Sequence, residues 1–161
     1  MATTIVPATL KVTLTEKVTL NSKERGQTNT FSTSNITSFY ERIITIPASA
    51  VEGATTKLLS FSDTVNDATS FLDTTVDHVR ITNLDSSISV LLRVIAQSNA
   101  NTRFTIKLPP GKSFLLGTTK MAVTTTGAVW AEDEINEIHA FYEAAPSSAV
   151  DLEVIVGQKN A

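Results

Sequence analysis

The stretch "IKLPPGKSFLLG" sets Gly111, Lys112 and Ser113 in a row, which is how a phosphate-binding loop ends. Such a loop curls consecutive backbone N–H groups around phosphates. It needs a further glycine five residues before the Gly-Lys pair, and then a helix whose N-terminus faces the anion. Ile106 occupies the earlier position, and "FLLG" runs into Gly117 too soon for a long helix. Nucleotide chemistry is therefore not expected. Pro110 followed by Gly111 suits the centre of a type II turn, where proline fixes a negative φ and glycine accepts a positive one. Type II turns match the twist of a tight hairpin poorly, so a corner is expected here, the strand leaving one sheet for the other with Lys112 in solvent.

The remaining reactive side chains form no recognisable constellation. There are 2 histidines, His78 and His139. Asp77 precedes His78, but adjacency in sequence does not make a triad, and no Gly-x-Ser-x-Gly elbow supplies a nucleophile. Glu132, Asp133, Glu134 and Glu137 with His139 could offer oxygen and nitrogen ligands to a divalent ion. No Asp-x-Asp-x-Asp-Gly pattern organises them, so a solvated acidic surface is expected and no metal site. Nothing singles out a carboxylate pair for glycoside hydrolysis. Trp130, Tyr40 and Tyr142 are the residues that could stack on a sugar or base, yet in a chain with 6% aromatics they are expected in the core or at an interface. Asn35, Ile36 and Thr37 spell a glycosylation acceptor that is common by chance. With 0 cysteines there is neither a disulfide framework nor thiol chemistry. The expectation is no enzyme and no cofactor.

The elements that would carry these residues are read from composition and period. The chain has 161 residues, 42% hydrophobic and 18% charged, enough for one domain over 1–161 with a core of its own. Its polar surface is built largely from Ser and Thr, and β-branched threonine favours strands. The net charge is −3 with the 13 Lys and Arg scattered singly, so no direct nucleic-acid partner is expected. The opening "MATTIVPATLKVTL" reads as neither signal peptide nor anchor, and no apolar run approaches the ~20 residues of a membrane helix.

Leu10, Val12, Leu14, Val18 and Leu20 fall on even positions, as in a strand with one dry face, and Glu16 interrupts the row at a bulge or a sheet-to-sheet crossing, with a buried pair as the less common alternative. Val79 and Ile81, then Ile88 to Ala96 by alternation, then Phe104, Ile106 and Leu108, predict three strands joined by short turns as antiparallel neighbours. Further strands are expected near 40–46, 58–61, 113–116, 121–125, 138–142 and 150–156. Residues 21–38 are polar and turn-rich and predict a long loop. "AEDEINEI", from Ala131, is expected as a short acidic helix, with an acidic loop as the alternative. About eight or nine short strands and at most one short helix predict an all-β, two-sheet antiparallel sandwich.

"HVRITNLDSSISVLLRV", "TRFTIKLPPGKSFLLG" and the closing "AVDLEVIVGQ" together resemble small jelly-roll virion proteins of tailed bacteriophages, of the head decoration or cement type. The resemblance covers residues 78–158 and rests on alternation and turn chemistry. It implies a jelly roll that binds the outside of an icosahedral head, with the major capsid protein and its own copies as partners, often as a homotrimer. The implied location is the virion surface, after assembly in host cytoplasm. Under this reading residues 1–9, with Thr3, Thr4, Ile5, Val6 and Pro7, form an arm that grips the shell or a neighbouring subunit. A tail, neck or fibre component, or a carbohydrate-binding jelly roll at the virion surface, are the alternatives.

Overall fold

The computed structural model describes residues 6–65, 67–96, 103–117, 119–125 and 129–159, and of 120–125 and 129–133 the backbone alone. Its strands begin with β1 Ala8–Thr15, β2 Val18–Leu20, β3 Lys23–Arg25 and β4 Thr28–Ile46. Next come β5 Thr56–Ser62, β6 Ser70–Leu72, β7 Val76–Asn83 and β8 Val90–Ala96. The last are β9 Arg103–Leu108, β10 Ser113–Leu116, β11 Lys120–Thr125, β12 Val129–Phe141 and β13 Val150–Lys159. No helix occurs among the described residues.

One sheet runs β1-β4-β13-β7-β10 and the other β6-β5-β12-β8-β9, with β11 added to β12; β2 and β3 pair separately. All pairings are antiparallel except that of β5 with β6. Taking β4, β5, β7, β8, β9, β10, β12 and β13 as the eight principal strands, one sheet reads first-last-third-sixth and the other second-seventh-fourth-fifth. That is the jelly-roll connectivity, the expected sandwich.

Alternation makes the core. Leu152, Val154 and Val156 of β13, Val79 and Ile81 of β7, Val90, Leu92 and Val94 of β8, and Ile138 and Ala140 of β12 all face the space between the sheets. Each large aliphatic side chain withdrawn from water there contributes about 1.5–3 kcal/mol. Tyr142 spans the layers: its hydroxyl donates to the Ile46 carbonyl at 2.8 Å and accepts the Val150 N–H at 3.1 Å, joining the end of β12 to both neighbours in the other sheet.

The Pro110-Gly111 corner is as expected. Gly111 has φ +65°, the Lys112 N–H donates to the Pro109 carbonyl at 3.2 Å, and the turn carries the chain from β9 into the opposite sheet as β10. Lys112 is exposed.

Three expectations are corrected. "AEDEINEI" is neither helix nor loop but part of β12. A bulge between Ile135 and Glu137 shifts the phase of this strand, so its buried Ile135 and Ile138 stand three apart and imitate helical spacing. Residues 21–38 are mostly strand, not loop: β3 and the first half of β4, with both faces largely in water and hence a polar sequence. Finally, β7 and β8 are not neighbours but lie in different sheets, so "NLDSS" crosses between layers. Asp85 holds that crossing, its Oδ1 accepting from the N–H groups of Ser87 at 2.7 Å and Ile88 at 2.6 Å. Those donors keep its carboxyl below the usual range.

Candidate interaction surface

β1 and the start of β4 continue past the sheet as a ribbon through β2 and β3. It reverses at Asn21 and Ser22, whose φ of 50° and 61° are those of a type I′ hairpin turn. The break at Glu16 is an irregularity matched on the facing strand at Gly26. The Glu16 N–H donates to the Gln27 carbonyl at 2.9 Å, and Gly26 has φ +140°. A Cβ at Gly26 would lie 2.0 Å from the Glu16 carbonyl oxygen, so this crossing admits only glycine.

The alternating apolar row of this region does not bury itself as a dry face. Residues 13–28 are all exposed, with Leu14, Val18 and Leu20 at 46%, 57% and 56%. Alternation specifies that these side chains share a side; it does not supply a second layer to cover them.

At its root the ribbon lies across the outer face of the five-stranded sheet. Gly157 shows this: a Cβ there would meet Leu10 Cδ2 at 3.4 Å, His78 Cβ at 3.5 Å and Ile36 Cδ1 at 3.7 Å. Asn35, at φ +64° beside a register shift, turns Ile36 towards that side, where it is 6% exposed. Beyond the root a groove of about 300 Å³ remains, walled by Val12, Leu14 and Phe31 on the ribbon side and by Leu115 and Leu116 on the other, with Asp77 and His78 also lining it. Burial, and secondarily the Arg80 guanidinium, hold the His78 imidazole below its ordinary pKa. Asp77 meets Lys159 at 2.6 Å. Phe39 and Ile43, 52% and 61% exposed, extend the apolar outer face of β4.

The other residues singled out in the sequence are dispersed. Tyr142 is a core residue, and Tyr40 packs edge-on against Phe71 with centroids 5.1 Å apart, so neither is a stacking platform. The side chains of Trp130, Glu132 and Asp133 lie outside the described residues, as do Thr3, Thr4 and Ile5; Val6 and Pro7 are exposed ahead of β1. Among the described residues no three His, Asp or Glu side chains gather at metal-binding distance.

One arrangement was not legible in the sequence. His139 Nε2 lies 2.8 Å from Glu137 Oε2 and its Nδ1 lies 2.8 Å from Thr55 Oγ1. Glu137 and His139 share a face of β12 through the period of two, but nothing in the chain announces Thr55. The order hydroxyl, imidazole, carboxylate is that of an activated nucleophile. The groove lining includes none of the three, and the contact pins the turn before β5 to β12. Across the same sheet Arg93 lies opposite His139, its guanidinium 4.5 Å from the Phe141 ring centre and 3.0 Å from Glu52. Compared with known proteins, the chain matches no family model, no curated protein and no solved structure.

Proposed function

We propose that this chain is a structural subunit of a tailed-bacteriophage virion, a decoration protein that binds the outside of the head and reinforces the shell. The particle comes from the sequence resemblance. The observation that carries the reading is the exposed ribbon with the apolar groove at its root: an association surface of this kind is what monomeric soluble proteins avoid and assembly subunits require. The major capsid protein is the first partner and further copies of the chain the second. Modest contacts per subunit, joined through an oligomer that bridges neighbouring capsomers, give strong retention by raising the effective concentration of each further contact.

Co-sedimentation of the recombinant protein with purified heads tests this. Saturable retention on heads is expected. Equal sedimentation with and without heads removes the decoration role, and retention on isolated tails instead moves the chain to a tail or neck position.

A further inference from the structure

The tip of the ribbon has two unlike faces. Val18 is paired with Arg25 and Leu20 with Lys23, and partners across an antiparallel pair share a face; Thr19 and Glu24 occupy the other. Lys17 meets Glu24 at 2.6 Å, whereas among the described residues neither Lys23 nor Arg25 has a carboxylate within ion-pair distance. Two exposed aliphatic side chains flanked by two cations thus stand at the end of a stalk.

The same molecule carries the complement. The groove holds about 300 Å³ between apolar walls, and the Asp77 carboxylate in its lining is already paired with Lys159 at 2.6 Å. An apolar cavity of about 150 Å³ accepts one benzene-sized group, so two aliphatic side chains fit. Charge is divided in the same sense. Residues 8–33 hold four of the 13 Lys and Arg but two of the 16 Asp and Glu, a net +2, which leaves −5 on the rest of a chain of net −3. The apolar area on offer is modest. Leu14, Val18, Leu20, Phe31, Phe39 and Ile43 are each between 46% and 62% exposed. At roughly 150–250 Å² for a large side chain they leave about 600 Å² in water, shared between the tip and the groove side. A single contact draws on only part of it, below the ~800 Å² per partner of a standard interface, and closure of a ring has to add to its strength.

We propose that the ribbon tip of one copy of this chain seats Val18 and Leu20 in the groove of a second copy, with Lys23 and Arg25 drawn by the net negative charge of that copy outside its ribbon. Ribbon and groove are different patches, so the contact is heterologous and each copy offers one of each, repeating until a ring closes. The inference deepens the self-association part of the function proposed above and needs no capsid.

Sedimentation velocity on the full chain tests it. Wild type is expected to sediment as a multiple of the 17.3 kDa monomer, with association weakened on the order of tenfold by high salt as the charge attraction is screened. The double variant V18D/L20D and, separately, the groove variant Leu115→Asp are expected to be monomeric with unchanged circular dichroism. Mixed in equal amounts they should form a 1:1 complex, because one retains its groove and the other its ribbon. A monomeric wild type at about 100 µM, or a mixture that stays monomeric, overturns the proposal. So does association that survives V18D/L20D but is lost on deleting residues 1–7, which gives the groove to the arm. A monomeric wild type that floats with phosphatidylcholine/phosphatidylserine vesicles gives the tip to a membrane surface and overturns it equally. Head binding is scored separately by co-sedimentation, so failure of either idea leaves the other readable.

Discussion

Asn83 at the end of β7 donates from Nδ2 to the carbonyl of Leu108 at the end of β9, 3.1 Å away, and so ties together two of the corners at which the chain changes sheets. The corners are also joined through the backbone. The Gly111 N–H donates to the Asn83 carbonyl and the Asn83 N–H to the Lys112 carbonyl, each at 3.0 Å. The Gly-Lys pair that imitates a phosphate loop is thus engaged with an asparagine that is 0% exposed.

Asn83 also donates to the Ile88 carbonyl at 2.9 Å and accepts the Asp85 N–H at 3.0 Å, so its removal strands the buried Leu108 carbonyl and two half-buried groups. Asn83→Ala should lower stability by about 2–4 kcal/mol, measured by urea denaturation. Asn83→Asp should cost more, since a carboxylate would face two carbonyl oxygens. A loss below about 1 kcal/mol for both would show that the corners hold without it.

Tyr142→Phe keeps the ring and removes the hydroxyl that serves Ile46 and Val150. A loss of about 1–3 kcal/mol is expected, because both backbone groups stay buried without a partner. An unchanged midpoint would mean that water replaces the hydroxyl.

Gly26→Ala sets a methyl against the Glu16 carbonyl and should disorder the ribbon without touching the core. Amide exchange in 18–25 should accelerate while that of β13 stays slow. Unchanged exchange at the tip would show that the bulge tolerates a side chain.

His78 sits in the groove with its pKa depressed by burial and by Arg80. The unfolded chain then binds a proton that the folded chain resists. Stability is full above the unfolded value of about 6.5, falls as pH drops below it, and stops falling at the lower folded pKa. Urea midpoints between pH 7.5 and 5 should fall further for wild type than for His78→Gln. Equal falls would remove His78 as a cause.

Deleting residues 1–7 leaves every strand from Ala8 onward intact. If the arm containing Thr3, Thr4, Ile5, Val6 and Pro7 grips the shell, head occupancy in co-sedimentation should fall while thermal unfolding is unchanged. Unchanged occupancy removes the arm from the proposed function.

Much of the sandwich was legible because its strands obey a period of two: Leu152, Val154 and Val156, or Val90, Leu92 and Val94, mark their inner faces without help from the structure. The Pro110-Gly111 corner was legible too, since its turn chemistry is local. The bulge in β12 was not, because register shifts depend on the facing strand and masked the alternation around Glu137. The ribbon was hidden for another reason. With both sides in water, residues 21–38 have no dry face to betray a strand, and the missing cover over Val18 and Leu20 is a fact about other parts of the chain. The groove rests on the bare Gly157 and on the turn at Asn35, neither of which carries a signal until Leu10 and Ile36 are seen to lie over it.

An electron cryomicroscopy map of the particle that contains this chain tests the account most directly. Jelly-roll density on the outer surface of the head, with each ribbon tip in contact with a neighbouring copy, is the predicted result. A particle lacking the chain, or copies whose ribbons all point into solvent, would contradict it.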